Sequence, residues 1–283
     1  MRSYLARDGA RLHFDVRDGV PAPVSATTTI ALAGGPARHP DYLGDLAGLN
    51  ERTHLVVPHL RGVGRSPGAS QEAMSFWAQA GDVTALLDHL EVDRAVLLGH
   101  SAGSRLAIAA ALQAPERVAA LVLVTPSSAP VAEQSDVEDL VRARSGDPVF
   151  AAAADACRED RVVVDDDAYT AWQHDMAPTT YARWGRAEEA HARAGRWFLA
   201  AARAFRGPVP SGAWDGLARV DVPVLVVLGD ADCATGVVGG LALAAAFPAG
   251  RSVVIGECGH YPWVEQPTAF RAATDPFWQA LDA

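Results

Sequence analysis

Ala95-Val96-Leu97-Leu98-Gly99-His100-Ser101-Ala102-Gly103 is the stretch from which the fold is read. Four apolar residues suit a short buried strand, and Ala102 to Gln113, rich in small residues and leucine, suits a helix. Between them a Gly-x-Ser-x-Gly turn places the serine on strained backbone, with its hydroxyl above the edge of a sheet. Bulky side chains two positions to either side would strike the neighbouring strand and helix. As a bare pentapeptide the pattern also arises at ordinary small-residue helix starts, and it is the preceding strand that makes it specific.

Outward from this turn, short apolar runs recur at Thr29 to Leu32, His54 to Val57, Val118 to Val124, Val224 to Leu228 and Ser252 to Ile255. Runs without alternation are what parallel strands covered on both faces require. Helical periodicity marks Phe76 to Leu90 and Pro267 to Leu281. Strands alternating with helices predict an α/β fold around a mostly parallel central sheet. Upstream, Ser3 to Ala6 and Arg11 to Val16 flank Arg7-Asp8-Gly9-Ala10, whose Asp-Gly favours a hairpin turn, so an antiparallel N-terminal hairpin is expected.

The alternation stops after Thr125-Pro126. From there to Trp214 no buried-strand run occurs, yet Phe150, Tyr169, Trp172, Tyr181, Trp184, Trp197 and Phe198 supply more aromatic surface than a solvated linker carries. The expected organisation is a core of residues 1–126 and 215–283 with a helical cap, or lid insertion, of residues 127–214.

A serine hydroxyl is a weak nucleophile and needs a neighbouring base. Of nine histidines, His260 is best placed, on a loop after the last strand; His13, His54, His89, His174 and His191 read as surface histidines, and His100 is ambiguous because it adjoins Ser101. The base in turn needs an acid on its far nitrogen. Asp230 and Asp232 both follow the strand Val224 to Leu228, and the residues alone do not separate them. The order serine, acid, histidine is that of one class of hydrolases and differs from two others that use the same three groups. Two backbone N–H donors for an oxyanion are expected from Ala102, just after the nucleophile, and from Gly35 in Ala33-Gly34-Gly35-Pro36, since Pro36 has no N–H.

With 283 residues, 49% of them hydrophobic and 20% charged, the composition is ordinary for a globular protein, and no stretch approaches the roughly 20 apolar residues of a membrane span. Met1 to Asp8 has no apolar run leading to a small-residue cleavage site, so a soluble, cytoplasmic protein is expected. Cys157, Cys233 and Cys258 are widely spaced and suggest neither a disulfide framework nor a zinc site. A formal charge of −10 with scattered arginines argues against nucleic acid. The expected partner is a small-molecule substrate, with no membrane; the oligomeric state is not specified by the sequence.

Gly34-Gly35-Pro36, Leu60-Arg61-Gly62-Val63-Gly64-Arg65-Ser66, Gly99-His100-Ser101-Ala102-Gly103, Gly229-Asp230-Ala231-Asp232 and Gly259-His260-Tyr261-Pro262-Trp263 together resemble the α/β-hydrolase superfamily, and within it the proline-iminopeptidase-like branch. The resemblance spans nearly the whole chain outside the insertion. It implies the α/β-hydrolase fold, selects Asp232 over Asp230 as the acid, and gives Arg61 and Arg65 a bracing role. Dehalogenases and epoxide hydrolases of this fold carry aspartate at the nucleophile and are disfavoured by Ser101. Two departures stand out: Ala33 where the family often has histidine, and Ala102 where proline iminopeptidases usually have tryptophan. Peptidase members also hold a free amino terminus with acidic lid residues; Glu188 and Glu189 read instead as a solvated helix face.

The expected function is hydrolysis of an ester or amide of a small substrate through an acyl-enzyme on Ser101, with His260 as base, Asp232 as acid, and neither metal nor organic cofactor. Two alternatives are a non-hydrolytic lyase or cyclase on the same fold, and a ligand-binding sensor that has lost turnover.

Overall fold

A computed structural model describes residues 2–17, 27–127 and 135–282. β1 (Arg2–Leu5) and β2 (Arg11–Val16) pair antiparallel around a turn in which Gly9 takes φ +84°, the positive-φ site that Asp8-Gly9 predicts. β2 runs antiparallel onto β4 (His54–Pro58). The remaining strands, β3 (Thr28–Leu32), β5 (Ala95–His100), β6 (Val118–Val124), β7 (Val224–Gly229) and β8 (Gly250–Ile255), are parallel to one another and to β4. Together they form one sheet in the order β1-β2-β4-β3-β5-β6-β7-β8.

Alternate residues of the central strands feed two apolar cores. Leu97, Leu121 and Val226 join Leu86 of α1 (Phe76–His89) and Leu106 of α2 (Gly103–Gln113), whereas Leu98, Val122 and Val227 join Phe270 and Trp278 of the C-terminal helix (Pro267–Leu281). Burying each such side chain contributes roughly 1.5–3 kcal/mol, so register is fixed on both faces at once. β8 departs from the expectation of a buried strand: as the edge strand it is partly solvated, with Val254 exposed, because among the described residues no strand pairs along its outer side.

Between β6 and β7 the described residues form α3 (Val137–Ala143), α4 (Pro148–Arg158), α5 (Asp166–Met176), α6 (Arg186–Ala192) and α7 (Leu199–Phe205). Residues 128–134, where the expected cap begins, lie outside the described ones. Tyr169, Trp197, Leu199 and Phe205 belong to the same apolar cluster as Leu97 and Leu106, so the insertion packs onto the sheet's helical layer. Arg61 is buried, its guanidinium holding Asp82 of α1 at 2.6 Å and Asp8 of the hairpin turn at 2.8 Å, a bracing role as expected. No helix among the described residues is long and apolar enough to cross a membrane.

Candidate active site

β5 delivers its chain directly into the turn, and Ser101 takes φ +51°. A non-glycine residue held there stores on the order of 1–3 kcal/mol, sustained only where neighbours over-determine the backbone. Here the Ser101 N–H donates to the Val124 carbonyl at 2.9 Å, fastening the turn to β6. A Cβ on Gly99 would lie 2.5 Å from Ser104 Cα, and one on Gly103 would strike the Leu32 carbonyl of β3. Both collisions are those expected of the pentapeptide.

The turn after β7 separates the two aspartates. Asp232 is wholly buried; its Oδ2 lies 2.8 Å from His260 Nδ1 and accepts the Thr235 hydroxyl at 2.5 Å, while its Oδ1 accepts the Ala234 and Thr235 N–H groups at 2.8 and 3.2 Å. Burial pushes this carboxyl upward, but the facing His260 and these hydrogen bonds outweigh it and hold it below the ordinary carboxylate range. Asp230 is exposed and accepts the Cys258 N–H at 3.1 Å, bracing the histidine loop from outside.

His260 is buried and fixed by its backbone as well as its ring. Its N–H donates to the Thr180 carbonyl of the insertion at 2.8 Å, and its own carbonyl accepts Thr125 Oγ1 and His100 Nε2, each at 3.0 Å. His100 thus has a structural assignment. Gly34 N–H donates to the Tyr42 hydroxyl at 2.7 Å, Tyr42 donates onward to His100 Nδ1 at 2.8 Å, and the proton on His100 Nε2 faces His260. Burial, then the neighbouring His260, keep the His100 pKa well below the ordinary histidine value, as this neutral relay requires.

Ser101, His260 and Gly35 line one cavity of about 190 Å³. The Tyr42 hydroxyl takes the Gly34 N–H, whereas the Gly35 N–H and the Ala102 N–H, at the start of α2, have no acceptor among the described residues. The sequence-derived residues therefore converge, with Ala102 directly behind Ser101.

A family model described as alpha/beta hydrolase fold matches residues 32–267. The chain belongs to the alpha/beta hydrolase family. Over 251 residues, 83% of this chain and 80% of the relative, it is 28% identical to 2-hydroxymuconate semialdehyde hydrolase of Pseudomonas sp. (strain CF600). A protein of Variovorax paradoxus (strain S110) that bears the name carbamate hydrolase RutD is 35% identical over 125 residues; that match covers 44% of this chain and 46%, less than half, of the relative. Among solved structures, an esterase from Thermogutta terrifontis aligns with a TM-score of 0.73 at 22% identity, covering 100% of this chain and 99% of that one. Proline iminopeptidase of Mycobacterium smegmatis aligns with 0.67 at 22% identity over 99% and 98% of the two chains. These last two likenesses concern the fold.

In this alpha/beta hydrolase three further residues shape the site that sequence reasoning passed over. Arg38, buried just after the Gly34-Gly35 loop, donates to the carbonyls of His191, Ala192 and Ala194 at 2.7–3.1 Å and to the Tyr261 hydroxyl at 3.0 Å, with its guanidinium 4.3 Å above the Tyr42 ring. It caps the carbonyl end of α6, where a cation is favoured. His191 is not the surface histidine expected: its Nε2 donates to the Tyr42 carbonyl at 2.9 Å and its Nδ1 accepts the Tyr181 hydroxyl at 2.7 Å. The alanine-rich, charged sequence around it gave no sign of this, since its partners are remote in the chain. Burial, then Arg38, push its pKa down to about 4. Glu265 receives the N–H groups of Ala182, Gly259 and Tyr261 at 2.6–3.2 Å, tying the His260 loop to the insertion; burial pushes its pKa up to about 7 against those donors. Glu188 and Glu189 are exposed or half-exposed on α6, where Glu189 pairs with Arg193.

Proposed function

We propose that this chain is a serine hydrolase that cleaves short esters through an acyl-enzyme on Ser101. The observation that carries the reading is the buried 2.8 Å His260–Asp232 hydrogen bond, presented to the cavity that Ser101 also lines. Asp232 fixes the tautomer with Nδ1 protonated, leaving His260 Nε2 to accept the Ser101 proton as Oγ attacks the carbonyl. The oxyanion then collects the Gly35 and Ala102 N–H groups, at the positive end of α2. His260 returns the proton to the leaving alkoxide, and water releases the acyl group by the same steps in reverse. The helical insertion acts as the lid that shapes the acyl pocket.

Ester cleavage is favoured over aminopeptidase action because a free amino terminus needs a carboxylate to hold it, and no Asp or Glu lines the cavity among the described residues. The test is reaction with a fluorophosphonate probe followed by peptide mass spectrometry. Labelling at Ser101, lost in Ser101→Ala, is expected; a folded protein that takes no label overturns the reading.

A further inference from the structure

The cavity is rich in donors and poor in anions. Arg38 and Arg206 both line it while no carboxylate does among the described residues, in a chain whose formal charge is −10. Asp232 stands behind His260 and is spent on it. Arg38 is satisfied by carbonyl oxygens and Tyr261, but Arg206, an exposed residue, has no ion pair and no hydrogen bond among the described residues. Beside Arg206 stands Arg105 on α2, half-buried, whose Nε is buried without an acceptor. Burial, and then the charge of Arg206, lower the Arg105 pKa. Trp197 adds a third unanswered donor: it lines the cavity, is more than nine-tenths buried, and its Nε1–H finds no acceptor. Its ring rests against the oxyanion loop, since a Cβ on Gly35 would come within 2.5 Å of Trp197 Cζ3.

A guanidinium that lines a cavity without a counter-charge is offered to an anionic ligand, whereas the Trp197 Nε1–H has no accessible surface and is not. We propose that the site is selective for acyl substrates bearing a carboxylate a few carbons from the scissile carbonyl, with Arg206 as its receptor. The inference rests on Ser101 being the acyl-forming nucleophile. At about 190 Å³ the cavity has room for the equivalent of roughly six waters at ~30 Å³ each, which suits a four- or five-carbon diacid half-ester rather than a long acyl chain. Ester cleavage then proceeds as above: the ester C–O bond breaks, the acyl group passes to Ser101 Oγ and then to water, and the distal carboxylate takes no part in bond making.

The experiment compares 4-nitrophenyl pentanoate with mono-4-nitrophenyl glutarate, equal in acyl length and different in charge, with the rate given by Ser101→Ala subtracted from each. The expected result is a kcat/KM at least tenfold higher for the glutarate ester, falling to a ratio near one in Arg206→Gln and largely kept in Arg206→Lys. Ser101-dependent turnover with no preference for the glutarate ester, or a preference that survives in Arg206→Gln, overturns the carboxylate site and leaves the hydrolase reading standing. Absence of both turnover and fluorophosphonate labelling overturns both.

Discussion

The two walls of the cavity are built on different rules. On the sheet wall each reacting group follows the end of a strand: Ser101 after β5, Asp232 after β7, His260 after β8. Ser101 is held by a backbone hydrogen bond to β6 and Asp232 by bonds within its own turn, so a short motif carries most of the geometry; His260 is also tied by its N–H to Thr180 of the insertion. The insertion wall is made by side chains such as Tyr169, Tyr181 and Trp197, beside the carbonyls that Arg38 grips from the other end of the chain, with His191 bonded to Tyr181 behind them. The proposed function puts chemistry on the first wall and selection on the second, so changes on the first should cut turnover and changes on the second should alter stability or substrate preference.

Removing the nucleophile gives the largest effect. Ser101→Ala should lower kcat on 4-nitrophenyl butyrate by about 10⁴- to 10⁶-fold, as loss of a triad serine does. Asp232→Asn comes next, at about 10⁴-fold, because it permits the wrong tautomer of His260. Asp230→Asn should cost less than tenfold, since Asp230 only braces the loop. Equal losses at the two aspartates would break the assignment of the acid.

Across the cavity, Arg38→Met should leave the α6 carbonyls without their donors and lower the unfolding free energy by about 3 kcal/mol, from unsatisfied buried acceptors at roughly 1–3 kcal/mol each. Urea unfolding measures the loss, and early proteolytic cleavage within residues 186–198 would show that the insertion has come away. If activity falls as far as in Ser101→Ala while stability is unchanged, the division between the walls fails.

His191 provides a pH handle on the same wall. Its native pKa is pushed down to about 4, below the ordinary 6.5, so the unfolded chain binds the proton first as pH falls. Its contribution is therefore fully present above pH 6.5 and is lost between 6.5 and about 4, amounting to about 3 kcal/mol at 1.36 kcal/mol per pK unit. His100, also depressed, acts in the same direction. Glu265, raised to about 7, works the opposite way over the same range, so the readout is a comparison: between pH 7.5 and 4.5 the wild type should lose about 3 kcal/mol more unfolding free energy than His191→Gln.

These contrasts explain what could be read in advance. The parallel sheet, its hairpin, the elbow at Ser101 and the convergence with His260 follow from local patterns: apolar run length, Asp-Gly in a turn, and glycines where a Cβ has no room. Choosing Asp232 over Asp230 took a family likeness, because burial and hydrogen bonding, not turn chemistry, tell them apart. Arg38, His191 and Glu265 left no local signal: each acts on backbone groups from a distant part of the chain. The partly exposed β8 misled for a related reason, since Ser252 to Ile255 reads alike whether a strand is central or at an edge.

The smallest predicted effect runs opposite to the largest. Ser101 holds φ +51°, a conformation that glycine adopts with far less strain. Ser101→Gly should therefore raise the unfolding free energy by about 1 kcal/mol while abolishing turnover. The gain is at the low end of the strain because glycine also adds entropy to the unfolded chain. Ser101→Ala, which removes the hydroxyl but keeps the Cβ, should show no such gain. A thermal-unfolding comparison of the three proteins isolates the backbone contribution, since the hydroxyl is absent from both variants. If glycine and alanine prove equally stable, the elbow is not strained and the turn owes its shape to the Val124 hydrogen bond alone; if only glycine is stabilised, the sheet wall holds its nucleophile at a cost in stability that the insertion wall does not share.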